Sequence, residues 1–106
     1  MISNCGEFVV SLRISPTDKK YLKHFFKYYK DLGVSKFIIN FNSKLESEQF
    51  LNDFIKDTLE QFSDYNLIYN IGPNGLNFSE MKNIEALKNL LIKNTTSYDY
   101  IIPCDA

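Results

Sequence analysis

The chain has 106 residues, of which 44% are hydrophobic and 24% are charged, and its formal net charge is −1. These values fall in the ordinary globular range and predict one small domain, or part of one, over residues 1–106. The lysines are spread along the chain without a concentrated positive field, so no nucleic acid partner is expected. No window approaches the roughly 18 to 20 consecutive apolar residues that span a bilayer, and the N-terminus does not resemble a signal peptide. We therefore expect no transmembrane segment and a cytoplasmic location.

The first predicted elements are a strand and a helix. Residues 7–13 read EFVVSLR, a short apolar run rich in β-branched residues that predicts a strand. Ser15 and Asp18 then have the spacing of a capping box, which predicts the start of a helix. Apolar residues recur at intervals of three and four up to about Leu32, and Gly33 is well placed to end this helix in the left-handed conformation.

The middle of the chain repeats the same order. Residues 36–41, KFIINF, form a second apolar run of strand length. Residues 47–62 have helical periodicity with a wide apolar face, and they predict a second helix. Residues 65–71 supply a third strand.

The last third predicts a helix and a fourth strand. Residues 72–75, GPNG, are a dense cluster of turn residues. Beyond them, Asn77 and Glu80 have capping-box spacing ahead of a third helix that ends near Asn94. Residues 98–103 contain a continuous apolar run, as expected for a strand that is covered on both faces.

The alternation of strands and helices predicts an α/β fold. It favours a Rossmann-like three-layer sandwich with a mainly parallel sheet in the order β-α-β-α-β-α-β. In such a sheet, ligands bind outside the carboxyl ends of the strands, where helix N-termini and loop amides converge. The residues at these ends are 13–15, 40–43, 72–75 and 104–106.

Asp105 follows the apolar run of the fourth predicted strand. An unpaired carboxylate would be costly at such a position, and a bound cation or a loop amide would relieve that cost. Asp105 is therefore a candidate metal ligand. The alternatives are that it caps a following helix or faces water.

Arg13 lies on the first predicted strand, and a tyrosine-containing helix that ends in Leu-Gly-Val at residues 32–34 follows it. This arrangement is similar to one subgroup of the GT-A type glycosyltransferases of family 2. Residues 98–106 resemble the approach to the family's Asp-X-Asp motif, in which Asp105 would be the first acid and residue 107 the second. The resemblance covers essentially the whole chain.

Two further elements carry the resemblance. Lys82 and Asn83 resemble the end of the Gly-(spacer)-Ala-Arg-Asn element that precedes the acidic motif, with Lys82 in place of the arginine. Asn42 and Ser43 match the loop after the second strand that holds the base and ribose. That loop lacks its usual leading acid here, and the Asn-Glu that usually follows the first strand is also replaced.

The resemblance implies the nucleotide-binding, N-terminal half of a GT-A fold. The activity would be transfer of a sugar from a UDP- or GDP-sugar to a saccharide or other hydroxyl acceptor. Asp105 would hold Mn²⁺ or Mg²⁺, which offsets the charge of the leaving diphosphate. The nucleotide-sugar would be bound by Arg13, Asn42, Ser43 and Lys82. The general base would lie outside residues 1–106, so we expect a piece of a longer protein that is inactive alone.

Other interpretations remain open. A non-catalytic Rossmann-like domain that binds a nucleotide or a protein, such as a receiver-like module, has the same alternation of elements. Acids gathered after the first strand would favour a receiver, and the sequence has none there. A catalytically dead relative could bind a nucleotide-sugar without turnover. Arg13 and Lys82 could each form a surface ion pair instead of binding a ligand.

Overall fold

The computed structural model describes residues 6–105, except for the side chain of Asp105. It confirms the predicted alternation of strands and helices. Short 3₁₀ turns at Pro16–Asp18 and Gly75–Asn77 precede the first and third helices. The main elements are β1 (Phe8–Ile14), α1 (Lys19–Asp31), β2 (Val34–Phe41), α2 (Glu48–Gln61), β3 (Leu67–Ile71), α3 (Glu80–Asn94) and β4 (Tyr100–Asp105).

The four strands form one sheet in the order β3-β2-β1-β4, and all neighbouring pairs are parallel. The chain moves in one direction from β1 through β2 to β3, and then returns across the sheet to β4. Crossovers of one hand therefore place α1 and α2 on one face and α3 on the other. This is the predicted Rossmann-like three-layer fold.

The face toward α1 and α2 holds the main hydrophobic core. Alternate residues of β1 and β2 point to this face, because successive side chains of a strand point to opposite sides of a sheet. Phe26 of α1 is fully buried, and its ring centroid lies 4.9 Å from that of Phe37 and 4.8 Å from that of Phe62. The other buried members of this core are Val10, Leu12, Ile14, Leu22, Val34, Ile39, Phe41, Leu51, Phe54 and Ile55.

The ends of α1 follow the predicted local signals. The carboxylate of Asp18 accepts a hydrogen bond from the backbone N–H of Ser15 at 2.9 Å, as a capping box requires. Gly33 has a φ of 101°, a conformation that favours glycine because it has no Cβ. The capping box therefore begins the 3₁₀ turn that leads into α1, and the glycine ends the helix as the sequence predicted.

The predicted cap of α3 was wrong. Asn77 lies in a 3₁₀ turn, and Ser79 is the cap, with its Oγ accepting a hydrogen bond from the N–H of Lys82 at 3.2 Å. The physical reason is that the connection first bonds to the carbonyl of Ser43 and forms a 3₁₀ turn that includes Asn77. The helix starts later than the earlier polar residue suggested.

The predicted coverage of the fourth strand was also wrong, because β4 lies at the edge of the sheet. Tyr100 is 63% exposed and Ile101 is 39% exposed, and Tyr100 stacks on Phe8 at a centroid distance of 5.2 Å. Pro103 suits this position, since a proline lacks an N–H and is tolerated on an edge strand.

None of the helices within residues 6–105 has the length and apolar character that crossing a membrane requires.

Candidate functional site

A cleft of about 390 Å³ lies at the carboxyl ends of β1 and β2. Three segments form its walls: the exit of β1, the exit of β2 and the start of α3. This is the edge at which the sequence predicted ligand binding. The lining residues are Arg13, Ile14, Ser15, Asp18, Asn42, Lys44, Phe78 and Glu80.

Backbone hydrogen bonds hold the third wall against the other two. The connection from β3 to α3 runs along the exit of β2, where the N–H of Gly72 donates to the carbonyl of Phe41 at 2.9 Å. The N–H of Gly75 donates to the carbonyl of Ser43 at 2.8 Å, and Gly75 has a φ of 58°, which few other residues adopt readily. These bonds place the first residue of α3, Glu80, beside the end of β1.

Arg13 and Glu80 line the cleft as an ion pair. An Nη atom of Arg13 lies 3.3 Å from Oε1 of Glu80, and their side chains are 31% and 68% exposed. Lys44 and Asp18 also line the cleft, so its two basic and two acidic side chains balance in charge. A phosphate group would compete with Glu80 for the guanidinium of Arg13.

Asn42 is the second predicted binding residue in the cleft. Its backbone N–H donates to the carbonyl of Ile14 at 3.1 Å, which ties the exit of β2 to that of β1. Its side chain is buried, and Nδ2 donates to Oδ1 of Asn40 at 2.7 Å. The structure thus brings Arg13 and Asn42 together, as the sequence predicted.

Ser43 and Lys82 do not line this cleft. Ser43 is buried, and its Oγ accepts a hydrogen bond from the N–H of Glu46 at 3.1 Å, so it stabilises the turn after β2. Lys82 lies in the first turn of α3 with an exposed side chain. Binding of a nucleotide-sugar by these two residues stays a prediction.

Asp105 lies opposite Arg13 in the register of β4 against β1. Its side chain is outside the described part of the chain, so the predicted Mn²⁺ or Mg²⁺ site at Asp105 is neither confirmed nor contradicted. Among the described side chains, no group of three His, Cys, Asp or Glu residues could hold a metal ion. The described residues therefore do not supply a complete set of metal ligands.

A row of polar residues crosses the sheet beside the cleft. Asn70 of β3, Asn40 of β2, Arg13 of β1 and Asp105 of β4 are successive register partners. The side chains of Asn70, Asn40 and Arg13 share the face toward α3, because partners in register lie on the same side of a sheet. Three strands therefore each place one polar side chain at the same level of this face.

The sequence interpretation missed the buried amides of this face. Asn40 is fully buried, and its Nδ2 donates to Oδ1 of Asn70 at 2.8 Å. Asn83 of α3 is also fully buried, and its Nδ2 donates to the carbonyls of Pro73 and Ser79, both at 3.0 Å. One signal was present: Asn40 near the end of an apolar strand and Asn42 just beyond it are two residues apart, a spacing that places both on one face in extended chain.

Comparisons of the chain with protein-family models, with curated proteins and with solved structures found no match. The functional inference therefore depends on the fold, the cleft and the resemblance of the sequence motifs. The cleft offers guanidinium and ammonium groups for an anion, a polar amide for directional hydrogen bonding, and the ring of Phe78 for an apolar contact. Such a combination suits a ligand with both a phosphate group and a planar polar group.

Proposed function

We propose that this chain is the nucleotide-sugar-binding part of a GT-A type glycosyltransferase. The observation that carries the proposal is the cleft at the carboxyl edge of a parallel sheet, lined by Arg13 and Asn42. The motif resemblance pointed to both residues independently of the cleft. The first strand supplies one and the second strand the other, as expected for a ligand bound across strand ends.

The two residues would contact different parts of the donor. The guanidinium of Arg13 is a planar, permanently charged donor that suits an oxygen of the diphosphate. Asn42 would contact the nucleoside through its amide. Asp105, opposite Arg13 in register, is proposed as the ligand of Mn²⁺ or Mg²⁺ on the strength of the resemblance alone. The described residues support a binding site, and the general base is expected outside residues 1–106.

The direct test is calorimetric titration of the protein with UDP, GDP and their sugars, with and without Mn²⁺. We expect saturable binding of one nucleotide class, tightened by the metal ion. Absence of binding by every one of these compounds would refute the proposed function. Release of sugar is not expected from this chain alone, since the general base would lie outside residues 1–106, so the test rests on binding.

Variants of the ion pair in the cleft sharpen this test. Arg13→Ala should weaken nucleotide diphosphate binding about tenfold, since a charge-assisted hydrogen bond is lost. Glu80→Gln should strengthen binding by about twofold to fivefold, because Arg13 no longer has a competing carboxylate and exposed ion pairs are weak. Lys88→Ala, an exposed lysine on the same helix, is the matched control and should leave the affinity unchanged. Weaker binding by the Glu80→Gln variant would contradict the assigned role of Arg13.

A further inference from the structure

A chain of side-chain hydrogen bonds links α3 to the cleft through three asparagines. We refer to Asn70, Asn40 and Asn42 as the amide relay. Nδ2 of Asn70 donates to the backbone carbonyl of Ala86 in α3 at 3.1 Å. Oδ1 of Asn70 accepts from Asn40, and Oδ1 of Asn40 accepts from Asn42. Of the three, only Asn42 lines the cleft.

The relay has a direction because it begins at a backbone carbonyl. A carbonyl oxygen can only accept, so the group of Asn70 that faces Ala86 must be its NH₂. The other end of that amide, Oδ1, then faces Asn40 and requires a donor. Each asparagine in turn has its nitrogen and oxygen assigned by the preceding one, which resolves the orientation that an isolated amide leaves open.

Burial makes the direction costly to reverse. Asn40 is fully buried and Asn42 is 7% exposed, so neither can replace a lost partner readily with water. Reversing the amides would place two oxygens or two NH₂ groups in contact, or leave a buried group unpaired. Asn70 is only partly buried, and it lies on the edge strand β3 outside the cleft.

We propose that Asn70 and Asn40 are positioning residues that hold the Asn42 amide with its oxygen available to the cleft, so that the cleft selects a ligand bearing an N–H donor. Nδ2 of Asn42 is engaged by Asn40, and no group among the described residues donates to Oδ1 of Asn42. The ligand class inferred here rests on the proposed function. For a nucleoside, the matching group is an imide or lactam N–H, as in uracil or guanine.

The first experiment tests the relay without any ligand. In protein labelled with ¹⁵N and ¹³C, we expect a scalar coupling across the hydrogen bond from Nδ2 of Asn42 to the side-chain carbonyl carbon of Asn40. The side-chain amide protons of Asn42 should also exchange more slowly than those of the exposed Asn66. Absence of the coupling, or exchange of Asn42 as fast as that of Asn66, would overturn the relay whether or not any nucleotide binds.

The second experiment tests selection, using UDP and its N3-methyl derivative as probes. N3-methylation removes the imide N–H and leaves the diphosphate unchanged, so we expect about tenfold weaker binding to the unmodified protein. Asn70→Ala should reduce that preference to less than about twofold, because the relay loses its anchor although the substituted residue does not touch the ligand. The Asn70→Asp variant still accepts from Asn40 but can no longer donate to the carbonyl of Ala86, so its preference should lie between those of the unmodified protein and the Asn70→Ala variant.

Asn66→Ala is the matched control in the same part of the chain and should keep the full preference. Folding of each variant is checked by its urea unfolding midpoint. A stable Asn70→Ala variant that retains the tenfold preference would overturn the positioning role. Equal binding of the two probes to the unmodified protein would overturn the inferred ligand class. Failure of every nucleotide to bind would refute the proposed function, while the coupling experiment would still decide the relay.

Discussion

The two faces of the sheet are built from different chemistry. Toward α1 and α2, the central strands present apolar side chains that pack into one continuous core. Toward α3, the same two strands present Ser11 and Asn40 as well as the apolar Val9 and Ile38, and the buried Asn42 follows β2. The difference teaches that one face supplies most of the stabilisation and the other fixes the orientation of particular side chains. Apolar burial has no preferred direction, whereas amide hydrogen bonds do.

The polar face carries a cost that the apolar face does not. Every buried amide must find a partner, and the relay satisfies most of the groups involved. The exception is Oδ1 of Asn83, which is buried without a hydrogen-bond partner among the described residues. This atom lies against Gly72, where a side chain would collide with it. The two faces should therefore respond differently to substitution.

The largest expected effect is on the apolar face. Replacing Phe26 with alanine should lower the free energy of unfolding by about 3–5 kcal/mol, because it removes a fully buried ring and leaves a cavity. Urea denaturation followed by circular dichroism measures this. Tyr21→Ala, at a 52% exposed site on the same helix, is the control and should change stability by less than about 0.5 kcal/mol. Equal losses in the two variants would contradict the assignment of the core.

A smaller loss of stability is expected at Gly72, where the face toward α3 has no space for an added methyl group. In Gly72→Ala, the added Cβ would collide with Oδ1 of Asn83 and lie 2.9 Å from Nδ2 of Asn40. We expect a loss of about 1–3 kcal/mol, because a buried neighbour must move to accommodate the methyl group. Thermal and urea unfolding of the variant measure the loss.

A double-mutant cycle identifies the cause of that loss. With Asn83→Ala in the background, the Gly72→Ala penalty should shrink, because the atom that blocks the methyl group is gone. The cost of Gly33→Ala comes from its φ of 101° with no nearby atom, so it should be the same in both backgrounds. If Gly72→Ala costs the same free energy of unfolding with and without the Asn83 side chain, the steric explanation is disproved.

The smallest effect concerns the turn that returns the chain from α3 to β4. The carboxylate of Asp99 accepts backbone N–H bonds from Glu7 at 2.9 Å and Thr96 at 2.8 Å, and these bonds hold the pKa of Asp99 below its ordinary value. A depressed pKa contributes stability that is present above the unfolded-state value of about 3.9 and lost as pH falls through the folded-state pKa.

Asp99→Asn should therefore be less stable than the parent protein at pH 7, and the gap should narrow in acid. Urea unfolding at pH 7 and at about pH 3 measures both differences. Asp64→Asn, at an exposed site, is the control for loss of a negative charge and should show a smaller gap. A gap for Asp99→Asn that widened in acid would show that the sign is wrong.

Local signals predicted much of the fold and part of the site. The capping box at Ser15 and the stop at Gly33 each depend on neighbours in sequence, and the structure confirms both; Arg13, near the end of β1, lines the cleft. The edge position of β4 could not be predicted in this way. A central strand and an edge strand can both have a continuous apolar sequence, so only the order of strands in the sheet distinguishes the two.

The asparagines show the same limit within the site. Their spacing placed Asn40 and Asn42 on one face, but nothing local indicated that Asn70, on the next strand, would complete a chain to the carbonyl of Ala86. The partners are 30 and 16 residues apart in sequence, and their contact depends on strand register and on the face that α3 covers. A register shift of one residue would have moved each amide to the opposite face.

The sequence by itself determined the alternating elements, the parallel sheet and the edge at which the cleft opens, because periodicity, caps and crossover rules act over short stretches of chain. The tertiary structure alone decided that Glu80 pairs with Arg13, that β4 lies beside β1 at one edge of the sheet, and that the side chain of Asn42 donates to Asn40. These contacts join residues distant in sequence, and packing and strand register bring them together.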